Sequence, residues 1–470
     1  MVYDVYINIM TSAIKVIMRY PEKIENEILA KRKAQGLLFD SMLRQLRAEI
    51  MGLPDKRTGK NLTYSMEDIG LGAFSVFFTQ SPSFLSFQKT MQMTKGKNNA
   101  DTIFGIGKIP CDNHIRVILD EVCPSNLYSM FPYIVNGMDE AQYLDTFRVI
   151  NDNILIALDG TQYFSSNKIH CDNCSVKNHK NGKKTYSHSA VTPVILKPGK
   201  NKVIPLEPEF ITPQDGHQKQ DCETAAAKRW LHQYGLQYKG LNGIILGDDL
   251  YSRQPLCEII LEEEFNFILV CKPDSHKTLY EWLTDFDNMG VIKTKAVRRR
   301  IGKRIETDTY RFVNRVPLRD SDDAIEVNWC ELITTMADGT VIYQNSFVTD
   351  LEITEDNVIE IAKAGRARWK IENENNNVLK TKGYNLEHNF GHGKKYLSST
   401  LLTLNLLSFA FHTVLEITDN KYRILREALP ARKTFFDDLR ALTRYICFEN
   451  WNDLLNFMLR GLEIEILDSG

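Results

Sequence analysis

Three carboxylates stand out by what precedes them. Asp159 follows the apolar run Asn153–Leu158 and stands before Gly160, while Asp248 follows Gly243–Leu246 and Gly247, with Asp249 beside it. Glu372 lies four residues after Arg368 in Ala367-Arg368-Trp369-Lys370-Ile371-Glu372. Acids that leave strands at their C-terminal ends gather at the sheet edge where mixed α/β folds place ligand chemistry. Residues four apart on a helix share a face, so Arg368 can hold Glu372 ionised, as a ligand for a hard metal must be. Carboxylates from separate elements suit two Mg²⁺ or Mn²⁺ ions about 4 Å apart, and such a pair suits in-line displacement at a phosphodiester. Alone, the Arg368–Glu372 pair reads as an ordinary surface ion pair; the two strand-end aspartates change that reading. Asp249 competes with Asp248, and Glu374 with Glu372. Asp248 is preferred because it comes first after its strand, and Glu372 because it is in register with Arg368.

A second set of residues offers softer ligands. Cys171, Cys174, His179 and His188 fall in one short stretch, and a closed zinc site needs four such groups. The competing expectation is a pair of reduced cysteines beside a basic loop carrying Lys177, Lys180, Lys183 and Lys184. His388 and His392 are also four apart, but Gly391 and Gly393 interrupt any helix there, and both histidines read as polar residues near the site edge. A dense basic run, Lys293, Lys295, Arg298, Arg299, Arg300, Lys303 and Arg304, has the character of a phosphate-binding footprint. No phosphate-binding loop, dinucleotide fingerprint or serine-hydrolase elbow stands out.

The elements that must position these groups follow from periodicity. Residues 1–150 read as a helical N-terminal domain, with helices at Ile24–Met51, Ile115–Val122 and Ser125–Val135. Its basic residues, Lys31, Arg32, Lys33, Arg44, Arg47, Lys56, Arg57 and Lys60, make DNA binding an expectation. Strands are expected at Asn153–Leu158, His188–Leu196, Lys202–Leu206, Gly243–Leu246 and Phe265–Cys271, with helices at Gln218–Tyr234 and Tyr251–Glu264. Pro198-Gly199-Lys200-Asn201 marks a hairpin. Residues 151–289 and 351–418 then form two parts of one catalytic core. Between them, 290–350 is a β-rich insertion with strands at Tyr310–Val316, Ala324–Thr335 and Thr340–Val348. Helical periodicity returns from Thr354 to Leu379, and 419–470 is a helical tail.

Three blocks resemble a family. Leu158-Asp159-Gly160-Thr161, Gly247-Asp248-Asp249-Leu250-Tyr251 and Arg368-Trp369-Lys370-Ile371-Glu372 resemble the catalytic blocks of DDE transposases from bacterial insertion sequences, in the group with a Tyr-x2-Arg-x3-Glu-x6-Lys signature. Gly383–Gly393 also looks like transposase sequence of this type. The resemblance covers about Asn153 to Lys395. It implies an α/β, ribonuclease-H-like mixed sheet interrupted by the β-rich insertion, with Asp159, Asp248 and Glu372 as catalytic metal ligands. It further implies DNA as partner and a homodimer that brings two element ends together. Arg368, Lys380 and Arg298–Arg300 become candidate DNA contacts, and Trp329, the insertion's tryptophan, is either a base-stacking contact or, as preferred, a core residue. The signature tyrosine falls at Gly365 and the lysine at Leu379, with Lys380 one place late. A nuclease of the same fold that cuts without joining, and a DNA-binding protein that has lost catalysis, are the alternatives.

Composition limits the remaining classes. The 470 residues are 43% hydrophobic and 25% charged, as in ordinary globular chains, and 58 basic against 60 acidic side chains leave no net basic field. Nine cysteines without a secretion signal argue for reduced thiols and a cytoplasmic location. The long apolar run Leu401–Ile417 contains Asn405, His412 and Glu416 and reads as a buried helix, with no membrane partner.

Overall fold

A computed structural model describes residues 34–58, 62–213, 221–302 and 304–465. Outside these residues lie the first part of the expected Ile24–Met51 helix, the start of the Gln218–Tyr234 helix, and Lys31, Arg32, Lys33, Lys60 and Lys303.

The strands in chain order are β1 (Ile154–Ala157), β2 (Gly160–Ser166), β3 (Ser175–Asn178), β4 (Lys184–Val191), β5 (Val194–Leu196), β6 (Ile204–Pro205), β7 (Glu209–Ile211), β8 (Gly243–Gly247), β9 (Asn266–Val270), β10 (Lys293–Ile301), β11 (Arg304–Pro317), β12 (Glu326–Met336) and β13 (Val341–Thr349). Nine of them make one mixed sheet in the order β10-β11-β12-β13-β9-β8-β1-β5-β6. β1 runs parallel to β8 and β8 parallel to β9, whereas β5, β6 and β10–β13 join antiparallel. The central strands ILIA, GIILG and NFILV are apolar along their length, as strands covered on both faces must be. Helices Glu223–Tyr234 and Gln254–Glu262 precede and follow β8. A smaller sheet pairs β4 with β2, β3 and β7.

The structure departs from the sequence expectations in three places. The run expected as one strand over His188–Leu196 is two, because Thr192-Pro193 breaks it: β4 belongs to the small sheet and β5 to the large one. The 290–350 segment extends the main sheet through β13 on β9, and its basic run is itself a strand, β10, at the sheet's edge. Charged side chains on an edge strand discourage pairing with another chain. The helix expected from Thr354 to Leu379 ends at Arg366 and resumes as a π-helical stretch, Ile371–Asn376, followed by a short α-helix, Asn377–Thr381.

Helices flank the sheet. Leu397–Thr418 is the one described helix long and apolar enough to cross a membrane, yet 94% of its most apolar window is buried inside the protein. It packs on Met66–Phe78 and Asn420–Ala428, with Phe411 meeting Phe74 at 4.9 Å between ring centroids. The buried apolar residues form one cluster reaching from Leu37 to Leu459.

Candidate active site

The parallel register of β1 and β8 sets the first two acids side by side. Ala157 pairs with Leu246, and the Leu158 N–H donates to the Leu246 carbonyl at 2.8 Å, so Asp159 and Asp248 each stand two residues past the same rung. Neighbouring strands lie about 4.8 Å apart. Both side chains are half-buried.

A further acid lies between these elements. Glu223, the first residue of its helix, accepts from the Gly160 N–H at 2.9 Å and from the Tyr251 hydroxyl at 2.7 Å. A Cβ on Gly160 would come within 2.3 Å of Glu223 Oε2, so this close approach requires glycine. Sequence reading missed Glu223, which shows there only as an acid at a helix start.

The third acid comes from the π-helical stretch. Arg368 Nη2 donates to Glu372 Oε1 at 2.9 Å, and Arg368 Nη1 lies 3.9 Å from Asp159 Oδ1, so one guanidinium stands between the first and third acids. Glu372 keeps 53% of its side chain exposed. From the end of the same stretch Asn376 donates to Asp159 Oδ2 at 2.9 Å, and the Thr192 hydroxyl donates to Asn376 Oδ1 at 3.1 Å. π-Helical segments often mark functional sites. The only sequence signal for Asn376 is the run Asn375-Asn376-Asn377, poor helix formers placed inside an expected helix.

Burial and then the Glu223 carboxylate push the Asp159 carboxyl up to about 7; Glu372 and Asp248 add to this, and Arg368 opposes it. Burial, then Glu223 and the charges of Asp159 and Asp248, raise the Tyr251 phenol well above its ordinary range. The site therefore carries more negative charge than its one arginine neutralises.

Of the competing acids, Asp249 is engaged elsewhere: it accepts from the Lys272 N–H at 2.7 Å and from the Ser275 hydroxyl, and faces His276 at 3.9 Å. Gly365, where the signature tyrosine falls, has room for no side chain, since a Cβ would meet the Phe347 ring at 2.6 Å.

The candidate DNA contacts divide. Lys380 is paired with Glu387 at 3.1 Å. Arg299 is paired with Glu306 and Asp308 at 3.0 and 2.9 Å, while Arg298 and Arg300 are exposed on β10. Of its two expectations Trp329 takes the core one: it is 2% exposed, packs from its strand against Tyr280, and offers no open face to a base. Trp369, which sequence reading passed over, is 41% exposed and directly follows Arg368, with Lys370 Nζ 4.8 Å from its ring centroid.

The cysteine and histidine expectation is also revised. Cys171, Cys174 and His188 come together, but the fourth member is His392, set aside in the sequence reading. His179 sits at the tip of the β3–β4 hairpin, with Nε2 facing the Thr185 hydroxyl at 2.8 Å. Lys177, Lys180, Lys183 and Lys184 are exposed on the same hairpin.

No family model matches the chain, and no curated protein matches it. Among solved structures it is similar to a piggyBac transposase synaptic complex with hairpin DNA, with a TM-score of 0.39 and 11% identity over 93% of this chain and 82% of that one. That likeness is too distant to assign a role to any residue of this chain.

Proposed function

We propose that this chain is a DDE-type DNA transposase that cleaves at the ends of its element and joins the freed ends to target DNA in the cytoplasm. One observation carries the reading: Asp159 and Asp248 each follow the last paired rung of adjacent parallel strands by two residues, with the Arg368–Glu372 pair reaching Asp159. The three sequence blocks that resemble insertion-sequence transposases supply these same side chains. The antiparallel β1–β5–β6 group continued by parallel β8 and β9 is compatible with a ribonuclease-H-like core.

The donor set suits divalent cations, since Asp159, Asp248 and Glu372 offer the carboxylate oxygens that Mg²⁺ and Mn²⁺ take. Asp159, Asp248 and Glu372 would hold Mg²⁺ or Mn²⁺, which when bound would polarise the scissile phosphate and ease deprotonation of the attacking water. Asn376 fixes the rotamer of Asp159, and Glu223 ties Gly160 to Tyr251 beneath it. Arg368 is placed to turn from the carboxylates to a phosphate oxygen. Water attack forms one P–O bond and releases the 3′-oxygen as a hydroxyl. That hydroxyl then attacks a target phosphodiester, whose own 3′-oxygen leaves. The exposed hairpin lysines, Arg298 and Arg300 would contact backbone phosphates, and Trp369 would stack on a base. Bringing two ends together calls for two copies on DNA.

The test is cleavage and joining of labelled element ends by the full chain with Mg²⁺. Cut and joined products that vanish in Asp159→Asn and Glu372→Gln are expected. Cutting without joining would leave a nuclease, and cutting untouched by both substitutions would remove the site from the reaction.

A further inference from the structure

Apart from the carboxylates, the small sheet gathers a second set of ligand atoms. Cys171 and Cys174 lie in the turn between β2 and β3, His188 is on β4 opposite Phe164, and His392 comes from the loop before helix Leu397–Thr418. Cys171 Sγ is 3.9 Å from Cys174 Sγ and 3.5 Å from His188 Nε2. Cys174 Sγ is 3.5 Å from His188 Nε2 and 3.7 Å from His392 Nε2, and the four ligand atoms all lie within 4.8 Å of one another.

These separations are the edges of a tetrahedron of a definite size. Zinc bonds of about 2.3 Å to sulfur and about 2.05 Å to nitrogen set S–S edges near 3.8 Å and S–N edges of about 3.6 Å. A disulfide would instead need the sulfurs at about 2.05 Å. The two rings present Nε2 to the sulfurs, and Nδ1 of His392 is buried without a partner, so the cluster is that ring's polar neighbourhood. The Cys171 N–H turns toward Cys174 Sγ at 3.4 Å, which suits a sulfur carrying negative charge.

The approach of His392 is built into the fold. Gly391 and Gly393 flank it; Gly393 has φ +69°, and a Cβ there would fall 2.2 Å from Asp120 Oδ1. Asp120 accepts the N–H groups of Lys394, Lys395, Tyr396 and Leu397 at 2.9 to 3.2 Å, and Arg116 donates to the Phe390 carbonyl at 2.8 Å. Asn173, between the cysteines, donates to the Lys395 carbonyl at 2.7 Å. The loop is thus held to the end of helix Asp112–Leu119 on both sides of the histidine, and to the cysteine turn through Asn173.

The geometry points to a structural zinc ion bound by Cys171, Cys174, His188 and His392. It is a closed site, with four protein ligands and no open position for substrate. It pins the cysteine turn and β4 to the loop that leads into the central helix, at the base of the lysine-bearing β3–β4 hairpin. His188 lies five residues beyond Asp159 in ladder terms, on the order of 15 Å along the strand, so the ion takes no part in the carboxylate chemistry.

The full chain, purified without chelator, should contain one zinc per chain by elemental analysis. Cys174→Ser and His392→Ala should each lower zinc at least tenfold, whereas His179→Ala and Asp159→Asn should retain it. Because the first two variants could fail to fold, His392→Cys provides a second readout: it should keep the metal, and after Co²⁺ exchange its thiolate charge-transfer absorption should rise over the parent's. Zinc retained in His392→Ala, zinc lost in His179→Ala, or a native chain that binds neither zinc nor Co²⁺ and carries a Cys171–Cys174 disulfide would each overturn the assignment. Zinc retention in Asp159→Asn with loss of DNA cleavage keeps this result separate from the fate of the transposase reading.

Discussion

Asn376 donates a hydrogen bond to Oδ2 of Asp159 at 2.9 Å, although 217 residues separate them in sequence. The bond joins the end of the π-helical stretch to the end of β1 and leaves the other carboxylate oxygen facing Arg368. Partners that orient a metal ligand typically cost about 10–100-fold in affinity or activity when lost. Asn376→Ala is therefore expected to lower Mg²⁺-dependent cleavage by about that factor. A titration of rate against Mg²⁺ checks it: the midpoint should move to higher metal, and an unmoved midpoint would deny Asn376 a positioning role.

The adjacent aspartates should separate cleanly. Asp248→Asn is expected to abolish cleavage while leaving the melting temperature close to the parent's. Asp249→Asn turns one of the two acceptor oxygens that serve the Lys272 N–H and the Ser275 hydroxyl into an NH₂ donor, with an expected stability loss of about 1–3 kcal/mol by urea denaturation. The reverse pattern would make Asp249 the ligand.

The two tryptophans make an opposed pair. Trp329→Ala empties a buried site in the sheet and should cost about 3–5 kcal/mol of stability. Trp369→Ala should leave stability nearly unchanged and weaken binding to single-stranded or frayed DNA ends by about 1–3 kcal/mol, read by fluorescence anisotropy. Equal DNA affinity for Trp369→Ala and the parent would remove stacking at this position.

Glu207 gives a stability signature tied to pH. It is fully buried, receives the Tyr238 hydroxyl at 2.6 Å, and burial raises its carboxyl from the ordinary 4.5 to about 7. The folded chain thus holds a proton that the unfolded chain releases. This stabilisation is complete below the unfolded value and is lost as pH rises through about 7, a change of about 3 kcal/mol. Between about pH 5 and about pH 8 the melting temperature of Glu207→Gln should gain on the parent's. A constant difference across that range would mean that Glu207 titrates normally.

What could be read from the sequence was local. Runs such as ILIA and GIIL ending in aspartate announce buried strands with acids at their tips, and Arg368 and Glu372 meet as their spacing implies, at 2.9 Å. Glu223, Asn376 and His392 reach their partners across 63, 217 and 218 residues, and no spacing rule detects such pairs. His179 illustrates the opposite error. It is close to the cysteines in sequence, yet the β3–β4 ladder carries it to the hairpin tip, while Ser175 against Ser187 marks the end where the cysteines lie. β10 escaped notice because its alternation is written in charged side chains rather than apolar ones.

The enclosure of helix Leu397–Thr418 bears on how the chain comes to be folded during synthesis. Its partner helix Met66–Phe78, whose Phe74 and Phe78 meet Phe411 in the finished protein, leaves the ribosome more than three hundred residues earlier. At about 5–20 residues per second that is a wait of tens of seconds with sticky aromatic surface uncovered. Nascent chains stalled before Leu397 should accordingly be captured by chaperones and cut readily by protease, whereas chains released past Gly461 should resist both.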